Sequence, residues 1–242
     1  MGAGMPEPLN VLVTGSSRGI GAAIARLLIE KGARVVGHGR SEGADTVGAD
    51  LADPAAARRL WDAALARLDG RIDVLINNAG VFEDVSTAAP LEEWHRVWAR
   101  SHQINLQSAA DLCRSAILHF ESRAGGGRIV NIASRAAYRG DSPEHWHYAA
   151  AKAGMIGMTK SIARGYARKN ILAYSVCPGF VMTDMAEEAL TGPDGPRLLG
   201  EVPLGRVASA DEIASVAVYC ALDAPPSMTG ASIDVNGASF VR

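Results

Sequence analysis

LNVLVTGSSRGIG, residues 9–21, is a short apolar run that breaks into a turn of small residues. Ile20, Ile24, Leu27 and Leu28 then recur at helical spacing. The order is strand, turn, helix. Lys31 and Gly32 stop the helix with a cation and a C-cap glycine, and Arg34 to His38 (RVVGH) begins a second strand. One βαβ unit is complete by residue 38. In its turn, Gly15, Ser17, Arg18, Gly19, Ile20 and Gly21 would let the backbone approach a pyrophosphate at the helix N-terminus. The spacing is GxxxGxG rather than GxGxxG, so the turn alone fits a tight connection as well as a nucleotide site.

Outward from this unit the alternation continues. Asp53-Pro54 opens a helix with a buried stripe of Leu60, Trp61, Ala64, Leu65 and Leu68, followed by the strand IDVLI at 72–76. Helices are expected at about 90–101, 105–122 and 146–167, with strands at Arg128–Ala133 and Ile171–Cys177. Ser209 and Glu212 have capping-box spacing for a helix through Leu222, and Ser232–Val235 makes a last strand. This pattern predicts one α/β domain over residues 1–242, a doubly wound parallel sheet of Rossmann type covered on both faces. Asp184 to Pro203 has loop composition (TGPDGP) and is the candidate lid.

Composition limits the function. The 242 residues carry 24 Lys plus Arg against 26 Asp plus Glu, a net charge of -2, which leaves no basic footprint for nucleic acid. The longest apolar stretch, around Ala214 to Leu222, is too short to cross a bilayer, so no membrane association is expected. MGAGMPEPLN has neither a basic nor an apolar region and reads as a disordered lead-in, not a signal peptide. Cys113, Cys177 and Cys220 are scattered, which fits a reducing, cytoplasmic setting. His145 and His147 have no partners at metal-binding spacing, so no metal site is expected.

Two further signals concern chemistry. After strand two, where enzymes that prefer NAD carry a carboxylate for the ribose 2'-hydroxyl, this chain has Gly39 and Arg40. A guanidinium there, helped by Arg18, would attract a 2'-phosphate and favour NADP(H), NAD(H) remaining the alternative. Tyr148 and Lys152 lie four residues apart on one helix face, about 6 Å along the axis. A nearby ammonium is a means of lowering a phenol's pKa for proton transfer, although such a pair is also common as a packed Tyr beside a solvated Lys.

Gly15 to Gly21, Asn77-Asn78-Ala79-Gly80, Asn105, Ser134, Tyr148-Ala-Ala-Ala-Lys152 and Pro178-Gly179 occur together in an order and spacing that resemble the short-chain dehydrogenase/reductase family. The resemblance covers nearly the whole chain. It implies a seven-stranded parallel sheet, a homotetramer and NAD(P)(H) as cofactor. It further implies that Tyr148 exchanges the proton at the substrate oxygen and Lys152 lowers that pKa and holds the nicotinamide ribose. Ser134 would hydrogen-bond the carbonyl, and Asn105 would hold a water linking Lys152 to solvent. By the same resemblance Asp50 and Leu51 flank the adenine, Asn77, Ala79 and Gly80 line the cleft, and Pro178, Gly179, Val181 and Thr183 meet the nicotinamide.

The chain departs from the family in two places: about ten residues separate strand two from Asp50, where many relatives fit a helix, and the loop RAAYRGDSPEHWH brings Tyr138, Trp146 and His147 towards the substrate. NIAS, YAAAKAGMIGMTKSIAR and CPGFVMTDM are most similar to the 3-oxoacyl-acyl-carrier-protein reductases of fatty acid biosynthesis. That likeness implies an acyl-thioester substrate and acyl carrier protein as a partner, docked by Arg128 and Lys169. The alternatives are an enzyme of another small ketone, sugar or secondary alcohol, and a non-catalytic dinucleotide-binding sensor, against which the intact Asn105, Ser134, Tyr148 and Lys152 set argues.

Overall fold

In β1 (Asn10–Val13) Val11 and Val13 turn to one face of the sheet and Leu12 to the other, and all three are fully buried. A strand covered on both faces needs apolar residues at successive positions, which is why its sequence shows no alternation. The computed structural model describes residues 8–182, 192 and 195–242, Leu198 by its backbone alone. After β1 come α1 (Gly19–Glu30), β2 (Arg34–Gly39), β3 (Thr46–Gly48), α2 (Ala56–Arg67) and β4 (Val74–Asn77). The middle of the chain forms α3 (Leu91–His102), α4 (Ser108–Glu121), β5 (Gly127–Ile132), α5 (Ala136–Arg139), α6 (Trp146–Tyr166) and β6 (Ile171–Pro178). Then follow β7 (Val181–Met182), α7 (Gly195–Gly200), β8 (Ala208–Ser209), α8 (Ala210–Leu222) and β9 (Ser232–Val235).

Seven strands form one parallel sheet in the order β3-β2-β1-β4-β5-β6-β9; β7 and β8 pair separately. Ile24 and Leu28 of α1 and Ile213 and Ala217 of α8 pack on the face that carries Val11, Val13 and Ile76. Leu60 and Trp61 of α2, Phe120 of α4 and Ile162 of α6 cover the other, against Leu12, Leu75 and Ile129. Each fully buried Leu, Ile or Phe contributes about 1.5–3 kcal/mol, so these two layers hold the sheet between them. The winding reverses between β1 and β4, and a crevice opens at the carboxyl ends of those strands.

The expected elements form with small shifts, and the chain adds some that their local sequence does not announce. The ten-residue link after β2 contains β3, which pairs through Gly37 to Thr46 at the sheet edge. The helix expected from 105 is preceded by one π-helical turn, Gln103–Gln107. The Ser209 capping box is present: Ser209 Oγ accepts from Glu212 N at 3.2 Å and Glu212 Oε2 accepts from Ser209 N at 2.8 Å. Among the described residues no helix is long and apolar enough to cross a membrane. The lead-in at 1–7, Thr183, and residues 184–191 and 193–194 of the lid expectation lie outside the described residues.

Candidate active site

The crevice is a cleft of about 630 Å³ whose floor is the glycine turn. Gly15 has φ +64°, and a Cβ there would lie 2.8 Å from Ala79 Cα, so the turn rests directly on the chain after β4. Gly21 stands behind it; a Cβ there would meet Gly15 O at 2.1 Å. Asn78 Nδ2 donates to the carbonyls of Thr14 and Gly15 at 3.0 Å each, and Thr14 Oγ1 accepts from Asn78 N and Ala79 N. His38 closes the other side: its Nδ1 accepts from Gly15 N at 3.1 Å and its Nε2 lies 3.0 Å from Ala49 O. The turn is thereby held from both neighbouring strands.

Gly15, Ser17, Arg18, Gly19, Ile20, Arg40, Asp50 and Leu51 line one end of the cleft, and Ala79, Gly80, Ser134, Tyr148, Lys152, Pro178, Gly179 and Val181 line the rest. Arg18 and Arg40 are exposed there, and among the described residues neither has an ion-pair partner. Asn77, expected in the cleft, points into the core instead. It donates from Nδ2 to Asn131 Oδ1 at 2.9 Å, because at the end of β4 the pleat turns it inwards and leaves Asn78 to face the turn.

The reacting end is built from β5 and α6. Ser134 follows β5 and caps the next turn by accepting from Ala136 N at 3.1 Å. Lys152 lies one helical turn beyond Tyr148, with Nζ 5.7 Å from the phenol ring centre, and donates to Ile132 O at 2.8 Å. Burial pushes the Tyr148 phenol up to about 12, against the downward pull of its hydrogen bond with Ser134. That direction is opposite to the expected lowering by Lys152. The reason is that burial disfavours both charged forms, and it brings the Lys152 ammonium down to about 8.

Asn105 sits on the π-helical turn, fully buried and outside the cleft wall. Its Oδ1 accepts from Val81 N at 2.8 Å and its Nδ2 donates to Val81 O and Ser101 Oγ at 3.0 Å each, so its amide fixes the strand end that carries Gly80. A Cβ on Gly80 would meet Asn105 Oδ1 at 2.8 Å and Lys152 Nζ at 3.7 Å, which sets these two residues on either side of it.

Tyr138, Trp146 and His147, expected near the substrate, do not line the cleft. Tyr138 stacks on Phe240, Trp146 meets Trp94 edge-on, and His147 is fully buried beside Trp98. Phe82 takes that place, 45% exposed, with its ring edge-to-face on Tyr148 at 4.9 Å and backed by the parallel ring of His145 at 3.6 Å. Neither His38 nor Phe82 stands in a motif that marks it, whereas Asn78 belongs to the Asn77-Asn78-Ala79-Gly80 stretch, which gives no sign of which asparagine faces the cleft. Arg128, expected to dock a carrier protein, caps α8 by donating from Nη1 to Cys220 O and Ala224 O at 3.0 Å each. Lys169 is paired with Glu121. Among the described residues no three His, Cys, Asp or Glu side chains gather as metal ligands.

Comparisons with known proteins agree with this fold. The family model described as Enoyl-(Acyl carrier protein) reductase matches residues 15–238. The chain is 36% identical to the 3-oxoacyl-[acyl-carrier-protein] reductase of Escherichia coli (strain K12), over 95% of this chain and 96% of that protein. It is also 36% identical to the D-threitol dehydrogenase of Mycolicibacterium smegmatis, over 96% of this chain and 92% of that one. Among solved structures it is similar to a blue fluorescent protein from a metagenomic library in complex with NADPH, with a TM-score of 0.84, 30% identity and coverage of 96% and 97% of the two chains. A Serratia marcescens short-chain dehydrogenase/reductase double mutant gives a TM-score of 0.85 at 30% identity, covering 96% of this chain and 99% of that one.

Proposed function

The chain belongs to the short-chain dehydrogenase/reductase family and is an NAD(P)-dependent oxidoreductase, and we propose that it reduces a 3-oxoacyl thioester to the 3-hydroxy product with NADPH. The observation that carries the cofactor choice is the pair of guanidiniums, Arg18 and Arg40, at the turn end of the cleft, neither of which has an ion-pair partner among the described residues. A 2'-phosphate would satisfy charge that a ribose hydroxyl would leave unmet. The turn also fits a pyrophosphate, because the space a side chain at Gly15 would fill is left to the backbone. The thioester substrate is supported by the 36% identity to the 3-oxoacyl reductases, which spans nearly the whole chain.

In this reading the bound nicotinamide supplies the hydride, and the chain's own residues handle the proton. Tyr148, kept protonated by its burial, donates from its hydroxyl to the carbonyl oxygen as charge develops there. The Ser134 hydroxyl, beside that phenol, donates a second hydrogen bond to the same oxygen. Lys152, tied to Ile132 O with its ammonium 5.7 Å from the phenol ring centre, would hold the nicotinamide ribose. Pro178, Gly179 and Val181 would close the nicotinamide end. Acyl carrier protein as a partner, a homotetramer and a cytoplasmic location go with this reading.

A second reading, reduction or oxidation of a small polyol or ketone, is favoured by the equal identity to the D-threitol dehydrogenase. One assay separates them: initial rates of NADPH and of NADH oxidation with acetoacetyl-CoA and a panel of ketones, beside rates of NADP+ and of NAD+ reduction with sugar alcohols, with Tyr148→Phe as the blank. Rapid NADPH oxidation with acetoacetyl-CoA by the wild type alone supports the proposal. Turnover confined to polyols or simple ketones overturns the thioester and leaves the reaction class standing.

A further inference from the structure

His38 has no place in the reaction just described, yet it is the side chain that joins the two walls of the turn end. It is 4% exposed and sits on β2 facing the cleft. Its ring bridges Gly15 N, 3.1 Å from Nδ1, and Ala49 O, 3.0 Å from Nε2. A backbone N–H only donates and a carbonyl only accepts, so Nδ1 must be bare and Nε2 must carry the hydrogen. One neutral tautomer satisfies both bonds. The imidazolium cannot, because it would turn an Nδ1–H against the Gly15 N–H.

The rest of the turn leaves little freedom to absorb that clash. Ser16 N donates to His38 O at 2.9 Å and Ser16 Oγ accepts from His38 N at 3.0 Å, so the next residue is fixed to the same strand. A Cβ on Gly37 would lie 2.3 Å from Ser16 Oγ, so strand and turn are already in contact. The change falls on the Gly15 amide, and Gly15 and Asp50 both line the cleft. We propose that His38 is a positioning residue: its neutral ring sets the glycine turn and the Ala49–Leu51 wall at their binding separation, and protonating it releases Gly15 and weakens dinucleotide binding.

The charged groups around the ring are consistent with a neutral resting state. Asp50 favours the cation, Arg18 and Arg40 line the same end of the cleft, and burial, the largest effect, lowers the ring's basicity. The proposal rests on the cleft being the dinucleotide site and is independent of the choice between NADP and NAD.

The test is calorimetric titration of NAD+ and of NADP+ into the wild type, His38→Gln and His38→Asn at about pH 8 and about pH 5.5, on either side of the ordinary histidine range. NAD+ is the informative ligand, because the 2'-phosphate of NADP+ itself titrates near pH 6. The wild type should lose on the order of threefold or more in NAD+ affinity on acidification, while the non-titrating variants change little. NAD+ affinity in the wild type that holds or rises in acid overturns the proposal, and so does an equal loss in a folded variant. Should neither variant fold, the wild-type NAD+ profile still decides it. Absence of any dinucleotide binding at pH 8 would overturn the cofactor reading as well, and that outcome is distinct from a flat profile.

Discussion

Tyr148 and Arg40 carry opposite kinds of claim, and each has its own measurement. Tyr148 is placed to give up a proton, so Tyr148→Phe removes a hydroxyl and no volume that packs the cleft. Turnover should fall by about 10²–10⁴-fold, the usual worth of a positioned general acid, while NADPH binding stays within about twofold. Retained turnover would sink the proton-donor role. Arg40 lines the turn end of the cleft, where under the proposed function it would read the 2'-phosphate without touching the reacting atoms. Arg40→Asp should shift the ratio of kcat/KM for NADPH over NADH towards NADH by about 10- to 100-fold, the range of a charge-assisted hydrogen bond. An unchanged ratio would leave Arg18 as the reader, or neither. Asn105 shows why role and position must be separated: three of its four hydrogen-bonding positions are taken by Val81 and Ser101, and its Oδ1 keeps one lone pair beside Gly80, where Lys152 Nζ also approaches.

At the scale of elements, the junction of β1 and α1 depends on two glycines doing different jobs. Gly15 is needed for its positive φ, whereas Gly21 is needed for closeness, since its Cβ position lies 2.1 Å from Gly15 O. Gly21→Ala would favour a free helix by about 1 kcal/mol. In this place it must push α1 off the turn, so NADPH affinity should fall about tenfold or more with the far-ultraviolet spectrum unchanged. Undiminished affinity would mean that the turn yields without cost. This junction was legible in the sequence because everything that makes it is local: an apolar run, small residues, a helical stripe and a C-cap. The Ser209 capping box was legible for the same reason. β3 was not, because Thr46, Val47 and Gly48 become a strand only by pairing with Gly37, His38 and Gly39. Nor could sequence tell that Asn78 rather than Asn77 faces the turn, since β4 is buried on both faces and gives no alternation to count. Arg128 read as free charge, but its partners stand 92 and 96 residues away, at the end of α8.

The molecule as a whole buries more titratable groups than its chemistry needs, and this fixes how stability follows pH. Cys113 and Cys177 are pushed up to about 12 and Cys220 to about 11 from an ordinary 9.0, in each case chiefly by burial. Tyr148 moves the same way. An unfolded chain releases these protons from about pH 9 upwards while the native state keeps them, so stability present below pH 9 is lost as pH rises towards 12. Lys152, lowered from 10.5 to about 8, works against this between those two values, but it is one group opposing five, since Tyr174 is raised by burial as well. On the acid side His38, His119 and His147 are all lowered by burial. The unfolded chain takes up their protons first, so stability present above the ordinary histidine value of 6.5 is lost as pH falls through the lowered ones. Urea midpoints should therefore be highest between about pH 7.5 and pH 8.5 and fall both at pH 5.5 and at pH 10. Cys113→Ala isolates one contribution: whatever it does to stability at pH 7.5, the drop between pH 7.5 and pH 10 should be smaller than in the wild type, because one proton no longer has to leave on unfolding. An equal drop in both would mean that the buried thiols do not govern the alkaline limb.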